Sequence, residues 1–249
     1  MGKIKIPKPL IIILDFPKTV KPDDFKERIL MPFFKNNLTN YLEENLSTQN
    51  KEVIDIIRQL RLESERDQKL FPDCPVVAPA SSTKSVIIKT IVHNVNWLMN
   101  KGLEPRGLTR LRSAMWSDAY KHGQLKTEIY SDVPEALTYW KENGIRIFAF
   151  SSSPVQEQKV LMNYTIYGKL AKLIDFYFDS TIGEKTNPES YSKMAKFAIG
   201  STMFITDYIA NAKAALEAGL KVCVITRSGK PTEIIPSVYY INLLTNFVF

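Results

Sequence analysis

Leu10-Ile11-Ile12-Ile13-Leu14-Asp15-Phe16-Pro17-Lys18-Thr19 is the stretch whose reading decides the fold. Five apolar residues, Leu10 to Leu14, run without a break and end on one carboxylate. A short apolar run closed by turn residues is the signature of a strand buried on both faces, as in a parallel sheet. An acid at the carboxyl end of such a strand stands where open α/β sheets bind their ligands. Pro17 and Lys18 supply the turn, and Thr19 follows it.

Working outward, the second half of the chain alternates strand and helix. Val133 to Asn143 reads as a helix, with Ser131 or Asp132 as its cap and Gly144 closing it. Ile145 to Phe150 reads as a buried strand ending in Ser151-Ser152-Ser153, and Val155 to Met162 as a helix. Phe176 to Phe178 is a short strand, and Pro188 to Ala198 a helix followed by Gly200. Met203 to Thr206 is a strand ending on Asp207, Ala210 to Ala218 a helix, and Val222 to Ile225 a strand ending at Thr226-Arg227. Such alternation predicts βαβ units and a parallel sheet.

Between these parts the periodicity is helical. Apolar residues from Phe25 to Tyr41 mark one helix, broken or kinked at Pro32, and Val53 to Leu62, Ser85 to Met99 and Leu108 to Tyr120 mark three more. Residues 63–83, polar and then rich in proline and serine, read as a loop. The first strand has no strand partner nearby in sequence, so it joins the later sheet. The expected fold is α/β, a discontinuous Rossmann-like parallel-sheet core at 1–24 and 126–249 with an inserted helical cap at 25–125.

The chain has 249 residues and a formal net charge of +7, which suits acidic partners of any kind: phosphorylated ligands, anionic surfaces, nucleic acid or acidic proteins. Cys74 and Cys223 lie far apart without metal-ligand spacing and read as reduced thiols of an intracellular protein. No secretory signal or presequence pattern is visible. No apolar run reaches the roughly 18 residues of a membrane-spanning helix. Arg106, Arg110 and Arg112 form a basic cluster read as a solvated face, and no nucleic-acid motif accompanies it. His93 and His122 read as surface or packing residues, and Trp97, Trp116 and Trp140 as core.

Four strand ends of one expected sheet thus carry polar groups, at Asp15, Ser151, Asp207 and Thr226-Arg227, while Lys185 stands in the loop Gly183-Glu184-Lys185. Brought together, they offer two carboxylates for a divalent cation, one of them also a nucleophile, with a hydroxyl and an ammonium for a phosphate.

Asp, Ser, Lys and Asp in that order resemble the haloacid dehalogenase superfamily. Particular stretches resemble one of its families, the enolase-phosphatase (acireductone synthase) of methionine salvage. These are Leu14-Asp15 with Thr19, Leu30 with Pro32-Phe33, Trp97 with Met99, and the run from Leu108 through Trp116 to Lys126. Tyr130 with Asp132-Val133-Pro134, Ser151-Ser152, Tyr167-Gly168, Ile182-Gly183, Lys185, Ser190-Tyr191, Asp207 and Ala218-Gly219 continue the likeness. It spans about residues 10 to 230 and is weakest between 48 and 84. The resemblance implies a haloacid dehalogenase-like core with a helical cap, and Mg²⁺-assisted enolisation and dephosphorylation of a diketone phosphate. It implies Asp15 as nucleophile, Ser151, Ser152 and Lys185 on the phosphate, and Asp15 and Asp207 on the metal, with the Pro17 carbonyl as a third oxygen.

The chain departs from the family's Asp-x-Glu-Gly-Thr, having Pro17 for the glutamate and Lys18 for the glycine. In the superfamily's phosphatases that acid protonates the leaving oxygen, and proline has no proton to give. Asn211 replaces a glutamate after Asp207, Ser153 replaces a glycine, and Arg227-Ser228-Gly229-Lys230 replaces Arg-Pro-Gly-Asn. Fewer carboxylates and an added lysine oppose Mg²⁺. The expectation is therefore a catalytically impaired relative serving as a binding or structural subunit of a larger assembly with protein partners, in the cytoplasm or mitochondria. The alternative is a Mg²⁺-dependent phosphatase/enolase acting on a diketone phosphate, a phosphorylated small molecule.

Overall fold

The structure is a computed structural model that describes residues 3–196, 201–227, 229 and 231–249. In chain order it holds β1 (Ile4–Lys5), β2 (Ile11–Asp15), a π-helical turn (Lys26–Leu30), α1 (Met31–Ser47), α2 (Lys51–Gln68), α3 (Lys84–Asn100), α4 (Arg106–Lys121) and α5 (Asp132–Glu142). There follow β3 (Arg146–Phe150), α6 (Val155–Asn163), β4 (Phe176–Phe178), α7 (Pro188–Lys196), β5 (Thr202–Thr206), α8 (Ile209–Glu217), β6 (Lys221–Ile225), β7 (Tyr239–Ile241) and β8 (Phe247–Val248).

The chain divides into two compact units, one running to Phe25 and resuming at Lys126, the other Lys26–Leu125. The first is built on a six-stranded sheet in the order β4-β3-β2-β5-β6-β7, parallel throughout. This is the parallel-sheet α/β core that the alternating pattern predicts. β2 lies at its centre because every residue from Ile11 to Asp15 is buried. Its side chains alternate between two hydrophobic clusters. Ile12 and Leu14 pack with Val133, Leu137 and Trp140, while Ile11 and Ile13 pack with Phe148, Phe150 and Phe204. Each such isoleucine contributes about 1.5–3 kcal/mol of burial. From β2 the chain adds β3 and β4 on one side and then crosses to β5 on the other, so the order reverses beside β2, where α/β sheets open a crevice.

Three strands escape the sequence signals. β7 closes the sheet edge, and β1 pairs with β8 in a separate two-stranded ribbon. β1 and β8 have two residues each, too few for an alternation to register.

The second unit is a set of four helices around Phe34, Leu38 and Leu42 of α1, Ile56 and Leu60 of α2, Ile91 and Val95 of α3, and Leu108 and Leu111 of α4. Pro32 opens α1 rather than kinking it, since the chain before it is a π-helical turn. α2 continues to Gln68, into the expected loop. Its polar residues there are inward contacts: the Ser64 hydroxyl accepts from Val77 N at 3.0 Å and Glu63 from Gly107 N at 2.9 Å. The basic cluster is a solvated face only at Arg106, which is exposed. Arg112 is buried and paired with Glu104, and Arg110 reaches Asp55 at 3.0 Å.

At α5 the expected capping does not form: Ser131 makes no side-chain cap bond, and Asp132 is committed elsewhere. Ala198 and Gly200 lie outside the described residues. Among the described residues no helix is long and apolar enough to cross a membrane. Both cysteines are free and buried.

Candidate active site

The sheet register sets the geometry of the site. Leu14 pairs with Ala149 on one side and Ile205 on the other, so Asp15, Ser151 and the pair Thr206-Asp207 stand at the carboxyl ends of three neighbouring strands. The turn after Asp15 is tightly hydrogen-bonded. Thr19 Oγ1 donates to the Asp15 carbonyl, and the Pro17 carbonyl accepts from Val20 N at 3.0 Å and Lys21 N at 2.9 Å. Arg227 donates to the Thr19 carbonyl and stacks on Tyr130, its guanidinium carbon 4.2 Å from the ring centre.

The Asp15 carboxylate is buried and heavily engaged. Lys185 Nζ donates to Oδ1 at 2.6 Å and also to the Phe16 carbonyl at 2.8 Å. Thr206 Oγ1 donates to Oδ2 at 2.5 Å, and Asn211 Nδ2 to the same oxygen at 2.9 Å. Lys185 is itself anchored, because the buried Tyr191 hydroxyl donates to its backbone carbonyl at 2.6 Å. Burial pushes the Tyr191 hydroxyl's pKa well up, so it remains a donor.

Of the residues singled out from sequence, Asp15 and Lys185 are in direct contact. Ser151 is fully buried, and its hydroxyl oxygen accepts from Ser153 N at 3.0 Å, which leaves its proton to give. Ser152 is exposed. Asp207 is half-buried, and burial first, then the Asp15 charge, raises its carboxyl above the usual range. Lys18 is half-exposed, held by Asp23 at 2.7 Å, and its charge acts on both Asp207 and Asp15. Ser228 and Lys230 lie outside the described residues.

Sequence reasoning passed over Thr206 as a donor and treated Asn211 only as a lost carboxylate. It also passed over the pairing of Arg227 with Asp132, at 2.6 and 2.7 Å. A hydroxyl at the end of an otherwise apolar strand, Met203-Phe204-Ile205-Thr206, is the signal that could have found Thr206.

These residues do not fit a Mg²⁺ ion. Of the three oxygens expected to hold it, Asp15 Oδ2 and the Pro17 carbonyl each already accept two hydrogen bonds, as many as an oxygen's two lone pairs allow. Asp207 is the third, with the Lys18 cation acting against a second positive charge. Mg²⁺ demands near-octahedral oxygen ligation. Among the described residues no group of three or more His, Cys, Asp or Glu side chains could hold a metal.

Comparison with known proteins assigns the chain. No family model matches it. Enolase-phosphatase E1 of Xenopus tropicalis is 37% identical over 235 residues, 92% of this chain and 90% of that protein. Enolase-phosphatase E1 of Danio rerio is 33% identical over the same shares. Among solved structures, the UTR4 protein of Saccharomyces cerevisiae superposes with a TM-score of 0.66 at 23% identity, over 94% of this chain and 96% of that one. A HAD phosphatase from Thermococcus onnurineus superposes with a TM-score of 0.53 at 13% identity, over 94% of each chain. The two structures share the fold.

These relatives overturn the expectation of a catalytically impaired structural subunit. Proteins that carry an enzyme's name match nearly the whole chain, so Pro17 and Lys18 do not outweigh the likeness. Nothing in them supports protein partners in an assembly or a mitochondrial compartment. The chain belongs to the enolase-phosphatase E1 family.

Proposed function

We propose that this chain is a phosphatase of the enolase-phosphatase type, acting on a diketone phosphate of methionine salvage, with Asp15 as its nucleophile. The observation that carries the reading is the 2.6 Å contact between Asp15 and Lys185 at the carboxyl end of the central strand, in a chain of this family. Oδ2 bears two donors and Oδ1 the lysine, so Oδ1 is the less crowded oxygen and the attacking atom.

Asp15 Oδ1 bonds to phosphorus, and the bond from phosphorus to the substrate's ester oxygen breaks. Lys185 offsets the charge on the phosphoryl oxygens, and Ser151 and Ser152 hold them by hydrogen bonds. Water then attacks the phosphorus of the aspartyl phosphate, releasing inorganic phosphate and restoring the carboxylate. Pro17 has no proton for the departing oxygen, which takes one from solvent.

The test is phosphate release from a 2,3-diketone 1-phosphate, comparing the wild type with Asp15→Asn. Turnover in the wild type, lost in Asp15→Asn, supports the reading. Release that is equal in both proteins, or absent from both, defeats it.

A further inference from the structure

We propose that Lys185, Thr206 and Asn211 together hold and charge-balance the Asp15 carboxylate in place of a divalent cation, with Asn211 as the positioning residue that occupies the cation's approach. This deepens the phosphatase reading and rests on it only where turnover is measured.

Three observations carry it. Asn211 lies in the first turn of α8 and is 6% exposed, with its amide nitrogen 2.9 Å from Asp15 Oδ2. A carboxylate there would repel Asp15 and require a cation between them, whereas an amide donates to it directly. The Thr206 hydroxyl on the same oxygen is locked in direction: it accepts from Tyr208 N at 3.0 Å, so its proton is turned to Asp15. A metal bonded to Oδ2 would have to strip one of these donors and leave it unpaired in a buried position.

The third observation is charge. Asp15 is paired with the Lys185 ammonium in contact, and Lys18, itself held by Asp23, adds positive charge that acts on Asp15 and Asp207. The place of a cation beside Asp15 is thus already taken by the Lys185 ammonium, and a divalent ion there would meet its charge as well as that of Lys18. A phosphate ester brings its own negative charge, so Lys185 and Lys18 serve substrate as well as carboxylate.

The probe is Mn²⁺, whose free-ion resonance is lost on binding, titrated into the wild type, Asn211→Glu and Asn211→Ala. The wild type is expected to leave millimolar Mn²⁺ free. Asn211→Glu is expected to bind one ion at least roughly tenfold more tightly, because a third carboxylate now faces the other two. Asn211→Ala introduces no buried charge and so keeps the comparison valid if the glutamate variant does not fold. By clearing one acceptor site on Oδ2 it should also exceed the wild type.

Wild-type binding as tight as that of the variants overturns the proposal, and so does a failure of both variants to exceed the wild type. In the turnover arm, hydrolysis of 4-nitrophenyl phosphate by the wild type is expected to be indifferent to EDTA. Loss of that activity in EDTA with recovery in Mg²⁺ overturns the proposal as well. A wild type inert with and without Mg²⁺ counts against the phosphatase reading, while the Mn²⁺ titration still decides the role of Asn211.

Discussion

Arg227 grips both oxygens of Asp132, at 2.6 and 2.7 Å, across 95 residues of chain. Asp132 also accepts from Leu244 N at 2.6 Å, and Arg227 donates to the Thr19 carbonyl. This largely buried ion pair thus ties the turn after Asp15 to the start of α5 and to the C-terminal segment. Removing one partner of a buried pair strands the other charge, at about 3–5 kcal/mol. Asp132→Asn should therefore lower stability by that order in urea unfolding. It should also lower kcat, as the turn loses its tether. A loss of stability below about 1 kcal/mol, the range of a surface pair, would show that the tether does not hold the turn.

Pro17 makes a second expectation sharp. Without a general acid, the rate must fall steeply as the leaving group becomes more basic. Pro17→Glu should raise turnover of an alkyl phosphate by about 10²–10⁴, the range for a positioned general acid, and change 4-nitrophenyl phosphate little. Equal gains on both substrates, or none on the alkyl ester, would mean that proton supply does not limit this site.

Gly107 lets α4 approach α2. A Cβ there would lie 2.6 Å from Glu63 Oε2 and 2.8 Å from Leu60 Cδ2. Gly107→Ala should destabilise by about 1–3 kcal/mol, the cost of overpacking, against the small gain that alanine gives in a helix. A rise in the thermal midpoint would show that the helices part easily.

Much of the fold was legible because β2 is unusually plain. Five consecutive apolar residues, Leu10 to Leu14, mark a strand buried on both faces, and the structure buries Ile11 to Asp15 on both while Leu10, before the strand, is exposed. Trp140 and the helix spacing around it gave α5 in the same way. The end of α2 was hidden because Glu63, Ser64 and Asp67 are polar yet serve helix contacts, so composition imitated a loop. The site was half legible: Asp15 and Lys185 stand out as charges at a strand end and in a loop. Asn211 looked like a loss, because its value as a donor appears only once its amide is seen beside Oδ2. Asp132 looked like a helix cap, because local sequence cannot show a partner 95 residues away.

Asp207 gives a pH dependence. Its carboxyl is raised above the usual value by burial and then by Asp15. The folded state therefore holds its proton to higher pH than the unfolded state does. In that window the folded state binds more protons, so stability falls as pH rises. The stability of the wild type minus that of Asp207→Asn should decline from below the ordinary carboxylate range to above the raised value. A difference that is flat, or that grows with pH, would contradict the burial of a charge at this position.

The most direct test of the whole account is to trap the covalent intermediate. Wild type and Asp15→Asn are mixed with 4-nitrophenyl phosphate, quenched in acid within one turnover, and digested for mass spectrometry. The account predicts a phosphoryl group on the peptide that carries Asp15 in the wild type, and none in Asp15→Asn, whose turnover is lost. Sustained turnover in Asp15→Asn, or a phosphoryl group on any other residue, would contradict it.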